Sequence, residues 1–72
     1  MPAQKVGLNM RKLSRRQLQV LESLSQGDPN KIISRKLGIT DGTTKVVVRT
    51  LMNKLGKRNR TELAVWYLEQ QG

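Results

Sequence analysis

The apolar positions along the chain fall into four helical patterns separated by glycine and proline punctuation. In "LSRRQLQVLESLSQG", Leu18, Val20, Leu21 and Leu24 recur at the spacing of one helix face. Ser14 is placed to cap this helix, and Gln17 three residues on completes a capping box. Leu13 can staple onto Leu18, and Gly27 supplies the left-handed residue that closes the helix. A shorter pattern follows Pro29. Asn30 is its expected cap, Ile33 and Leu37 lie four apart on one face, and Ser34 between them is small enough for another helix to approach closely. Gly38 stops it, and Ile39 in the following turn is expected to point inward. Thr40 caps a third helix that runs to Leu55, with Asp41 in its first turn and Gly56 after its end. Asn59 and Glu62 form a further cap-and-N3 pair opening a fourth helix to about Gln70. Residues 13–71 therefore predict an all-α fold, a compact four-helix domain with short connections. Residues 1–12, with Pro2, Gly7 and no sustained periodicity, read as a flexible basic arm or linker remnant.

The third helix contains a run that favours strands, Thr43-Thr44-Lys45-Val46-Val47-Val48. At about 100° per residue, Thr44, Val47, Val48 and Leu55 fall within roughly 60° of Leu51 and form a buried stripe. Lys45, Val46, Arg49 and Asn53 fall on the opposite arc. A strand would instead set Val47 between two charges on one face, so the helical period sorts the chemistry better. The outer ridge carries donors suited to base edges: Lys or Arg to guanine and Asn to adenine, with Val46 able to meet a thymine methyl. A single exposed valine is also ordinary. A short helix, a three-residue turn with glycine and a longer helix with a polar outer face together make a helix-turn-helix pattern.

Charge strengthens that reading. The chain of 72 residues has 14 Lys and Arg against 5 Asp and Glu, a formal net charge of +9. Residues 31–60 hold nine of the basic residues and one acid, Asp41, so +8 falls in that segment. This clustering is the electrostatic footprint expected of a polyanion binder, usually nucleic acid, with a solvated, solubilising surface as the alternative that charge alone leaves open. Catalysis lacks its usual materials: the chain has no His or Cys, its five acids are scattered, and it has no glycine-rich phosphate loop. No cofactor or metal is expected. RNA binding lacks interleaved aromatics, since Trp66 and Tyr67 stand side by side in an apolar stretch. Without an apolar run of about 20 residues or a signal-peptide core, the protein is expected to be cytoplasmic.

The string from Leu13 to about Tyr67 closely resembles the C-terminal DNA-binding domain of the LuxR/FixJ/NarL family of transcription regulators. The matching motifs are "LS.R", "VL..L.QG", "NK.I...LGIT", "T.K", "KLG" and "NRTE". The resemblance implies that the third helix reads the major groove of double-stranded DNA, with the family's base-reading positions on Lys45, Val46 and Arg49. It implies phosphate contacts from Asn30, Lys31, Thr40 and Thr43, and further from Lys54 and Arg58. Three departures stand out. Gln17 replaces the family's usual glutamate, leaving a neutral–charged bond to Arg60. The usual "TVK" is "TTK", turning Thr44 towards the core. Val47 stands where a histidine is common.

"LAVWYL", residues 63–68, is apolar all round. Leu63 and Tyr67, with Trp66 beside them, are assigned to the core. Thr61, Ala64, Val65 and Leu68 share the other side, where an exposed apolar patch points to a partner, or to cover by a tail or a further domain. The family resemblance implies homodimerisation through this helix, with DNA bound as inverted half-sites. The competing reading is a protein-interaction module that pairs with another regulator or RNA polymerase and touches DNA little. The resemblance also implies a response-regulator output domain, since such domains usually follow a receiver or ligand-binding domain.

Overall fold

The computed structural model describes residues 12–71; the expected arm therefore lies almost wholly outside the described residues. Four helices follow in order: α1 (Arg15–Ser25), α2 (Asn30–Leu37), α3 (Asp41–Leu55) and α4 (Arg60–Gln71). Helix α1 packs against all three others, most extensively against α4, while α2 and α3 pack on each other.

Local chemistry explains where the helices begin. Ser14 Oγ accepts from the Gln17 amide at 3.1 Å and Gln17 Oε1 accepts from the Ser14 amide at 2.8 Å, the reciprocal pair of a capping box. Helix α2 starts differently from expectation. Pro29 is its N-cap, and its carbonyl accepts from the amides of Ile32 and Ile33 at 3.0 Å. Asn30 is the first helical residue, and its side-chain carbonyl is drawn away by Arg60 instead of capping its own helix. Gly38 closes α2 at φ 66°, in the left-handed region. Two residues later Thr40 Oγ1 accepts from the Thr43 amide at 3.1 Å and opens α3. Asn59 Oδ1 caps α4 through the Glu62 amide at 2.9 Å, but the Glu62 carboxylate accepts from the Arg58 amide, so this box is not reciprocal.

The core gathers Val20, Leu21, Leu24, Ile33, Val48, Leu51, Leu63 and Trp66, with Leu13 beneath the start of α1. Leu18, Val47, Leu55 and Tyr67 are half-buried against it. Ile39, expected to point inward, is half-buried and stands outside this cluster.

Candidate nucleic-acid interface

Helix α3 separates two chemistries around its axis. Thr44 and Leu51 are fully buried and Val48 nearly so. Val47 and Leu55 complete the inner side as half-buried neighbours, so Val47 is a flank of the core and not its centre. Lys45, Val46, Arg49 and Asn53 are all exposed on the opposite side, with Val46 at 63% the most accessible large apolar residue described. The three valines therefore divide as the helical period requires: one out, two in.

The inner side carries a polar contact that holds the helix-turn-helix together. Thr44 Oγ1 lies 2.7 Å from Ser34 Oγ of α2, and both residues are buried. Ser34 Oγ donates to the Asn30 carbonyl at 2.7 Å, which leaves the Thr44 hydroxyl to donate to Ser34 Oγ; the Thr40 carbonyl, at 3.2 Å, is the longer alternative acceptor for that one Thr44 proton. Each buried hydroxyl thus has partners, which removes the cost of an unsatisfied polar group. The departure from "TVK" to "TTK" is accommodated by this bond.

The expected phosphate-binding residues sit at the start of α2, at the two ends of α3 and in the loop that follows it. Lys31, Thr40, Thr43 and Arg58 are exposed. Asn30 is half-buried and its Oδ1 accepts from Arg60 Nη1 at 2.6 Å, which turns its amide donors outward from that bond. Lys54 Nζ donates to the Lys12 carbonyl, tying the end of α3 to the entry of α1. Asp41 is also exposed, in the first turn of α3, and is the one acid among the basic residues of this segment.

The expected bond between Gln17 and Arg60 does not form. Gln17 Oε1 serves the capping box, whereas Arg60 donates to Asn30 Oδ1 and, through Nη2, to the Asp28 carbonyl at 2.6 Å. A neutral amide offers too little to draw the guanidinium to α1 when a backbone carbonyl and an asparagine oxygen lie within its fork. Beside this anchor, the Asp28 carboxylate accepts from Lys36 Nζ at 2.6 Å and Ser23 Oγ at 2.7 Å. These two bonds, that from Lys36 foremost, hold its pKa below the ordinary carboxylate value. The Arg60–Asn30 and Ser34–Thr44 pairs escape periodicity, which sorts faces but does not match side chains across helices.

Helix α4 buries Leu63 and Trp66 and exposes Thr61, Val65 (48%) and Leu68 (54%). Ala64 is half-buried against the core, so it belongs to the edge of the exposed side. Two grooves of about 360 Å³ flank the Thr61–Val65 ridge, one including Lys57 and Glu69 and the other Leu24 and Pro29. Among the described residues, no group of three or more His, Cys, Asp or Glu gathers to hold a metal ion, and no helix is long and apolar enough to cross a membrane.

A scaffold helix, a glycine turn and a second helix with a basic outer ridge define a helix-turn-helix DNA-binding domain. The chain belongs to the luxR family of bacterial regulatory proteins, whose family model matches residues 11–67. It is 36% identical over 63 residues to the nitrate/nitrite response regulator protein NarL of Escherichia coli (strain K12), covering 88% of this chain and 29% of that protein. It is 42% identical over 60 residues to the nitrate/nitrite response regulator protein NarP of the same strain, covering 83% of this chain and 28% of NarP. The transcriptional regulatory protein LnrK of Bacillus subtilis (strain 168) is 43% identical over 54 residues, 75% of this chain and 24% of LnrK. The chain thus spans less than a third of the length of these relatives. It is a DNA-binding domain of the kind this family of transcription regulators carries.

Proposed function

We propose that α3 enters the major groove and reads a specific operator through Lys45, Val46, Arg49 and Asn53. The observation that carries this reading is the joint exposure of those four residues on one side of a helix whose other side is fastened to the core. Lys45 and Arg49 offer guanine-directed donors, Asn53 an adenine-directed amide, and Val46 an apolar contact for a thymine methyl. Asn30, Lys31, Thr40, Thr43, Lys54 and Arg58 position the domain through phosphates, without sequence information of their own.

A second copy is proposed to join across Thr61, Val65 and Leu68, with Ala64 at the edge. Two-fold pairing of this side of α4 would present two recognition helices to inverted half-sites. The exposed valine and leucine favour it, because neither has a core to join within one copy. The domain would then be the output module of a response regulator.

Selection of bound sites from random double-stranded DNA tests both parts. The expected product is an inverted repeat bound with an affinity that falls as salt rises. Recovery of no preferred sequence overturns the base-reading role; recovery of single, unrepeated sites overturns the dimer.

A further inference from the structure

We propose that the buried Ser34–Thr44 hydroxyl pair sets the spacing between the scaffold and recognition helices, and that Thr44 is a positioning residue for sequence discrimination. The inference rests on the groove-reading role of α3 given above. Its basis is a distance. Ser34 Oγ and Thr44 Oγ1 are 2.7 Å apart, with Thr44 fully buried and Ser34 at 4%. Only a hydrogen bond permits so close an approach. A methyl group in the place of either oxygen needs about 3.5 Å, so it would open the contact by roughly 0.8 Å.

The pair stands between groups with different tasks. Ser34 donates to the carbonyl of Asn30, at the start of α2 beside Lys31. Thr44, whose single hydroxyl proton goes to Ser34 Oγ while the carbonyl of Thr40, the cap of α3, lies 3.2 Å away, is followed by Lys45. Widening the contact displaces the phosphate-binding start of α2 from the base-reading side of α3. Recognition groups need to be held within about 0.5 Å, so a shift of this size disturbs base contacts while leaving phosphate contacts available.

Hydrogen-bond loss and altered spacing can be separated, because neither hydroxyl is needed to satisfy a backbone group. The Thr40 carbonyl also accepts from the Thr44 amide at 3.0 Å, so Thr44→Val leaves it paired. The experiment measures affinity for a selected operator and for unrelated DNA with Thr44→Val, Thr44→Ser and the double variant Ser34→Ala/Thr44→Val, each checked for folding by circular dichroism. Thr44→Val is expected to lower the ratio of operator to unrelated affinity on the order of tenfold, the size of one disturbed base contact, with affinity for unrelated DNA nearly unchanged. Thr44→Ser retains the hydroxyl and is expected to retain the ratio. The double variant removes the oxygen that the new methyl meets, lets the helices close again, and is expected to recover most of the ratio.

An unchanged ratio in Thr44→Val overturns the inference. So does a folded double variant that discriminates no better than Thr44→Val, or a Thr44→Ser variant that discriminates as poorly. Wild-type protein that prefers no sequence instead overturns the groove-reading role itself, and the two failures are therefore distinct.

Discussion

Arg60, the first residue of α4, donates from Nη1 to Oδ1 of Asn30, the first residue of α2, at 2.6 Å. Its Nη2 donates to the Asp28 carbonyl just ahead of that helix, also at 2.6 Å. One guanidinium thus ties the start of α4 to the start of the helix-turn-helix across thirty positions of sequence. Its planar fork presents two separate nitrogens, one to each acceptor, where a lysine would have to reach both from a single nitrogen. Arg60→Met, which keeps much of the stem, is expected to cost about 2 kcal/mol, the range of part-buried hydrogen bonds to a charged group. Chemical denaturation checks this; a change below about 0.5 kcal/mol would mean the fork contributes little beyond its packing.

Asp28 beside that anchor makes stability depend on acid. Its pKa is lowered from 3.8 by the hydrogen bond from Lys36 and then by that from Ser23. The native state therefore binds this proton less readily than the unfolded chain. Its contribution is present above the ordinary carboxylate value and is lost as pH falls below 3.8 through the folded value. Wild-type protein and Asp28→Asn are expected to differ in midpoint at neutral pH and to converge in this acid range. Parallel curves down to the lowest pH would remove Asp28 as the cause.

The helices and their faces were legible because their signals are local. Ser14 with Gln17, Thr40 with Thr43, and the glycines at positions 27, 38 and 56 act within one turn, and each acts as its residue type requires. The separation of Val46 from Val47 and Val48 follows from period alone. The partner of Arg60 was not legible, since Gln17, Asn30 and the Asp28 carbonyl are all reasonable acceptors until the helices are placed. Pro29 displaced Asn30 as the cap for the same reason: a tertiary donor took the asparagine oxygen. Ala64 shares a wheel side with Val65 and Leu68, yet it sits far enough round to meet the core. A wheel assigns a direction, while burial depends on what stands in that direction.

The ridge and its surroundings are expected to fail in different ways when altered. Lys45→Ala or Arg49→Ala should cost about 1–3 kcal/mol on the selected operator and relax the base choice at one position. Lys31→Ala should weaken operator and unrelated DNA alike and reduce the salt slope by about one. Titrations against both kinds of DNA at several salt concentrations separate the cases. Loss of Lys45 and Arg49 together with no change in preference would exclude α3 as the reader.

Asp41 places an acid among the groups proposed to meet phosphates. In the first turn of α3 its charge favours the helix, because it opposes the positive end of the helix dipole. Near a DNA backbone the same charge is repulsive. Asp41→Asn is thus expected to bind all duplex DNA more tightly while losing about 0.3–1 kcal/mol of stability at low ionic strength. Paired binding and denaturation measurements would show the opposite signs. Weaker binding by a fully folded variant would indicate that the carboxylate receives a donor in the complex.

The side of α4 offers a geometric test of pairing, made direct because the chain has no cysteine. Thr61, Val65 and Leu68 line one exposed ridge, with Val65 near its middle and the flanking grooves beside it. A two-fold antiparallel packing of two such ridges brings Val65 towards its own copy and Thr61 towards Leu68 of the other. A disulfide requires Cα atoms within about 7 Å, so single cysteines report this register. Val65→Cys is expected to cross-link to itself on operator DNA. Thr61→Cys and Leu68→Cys should cross-link efficiently only when mixed. Val65→Glu, which puts like charges together at the same place, should abolish cooperative binding to a paired site while leaving affinity for a single half-site within a few-fold. Equal cross-linking of Thr61→Cys and Leu68→Cys with themselves would reject the antiparallel register. Retained cooperativity in Val65→Glu would reject this side of α4 as the interface.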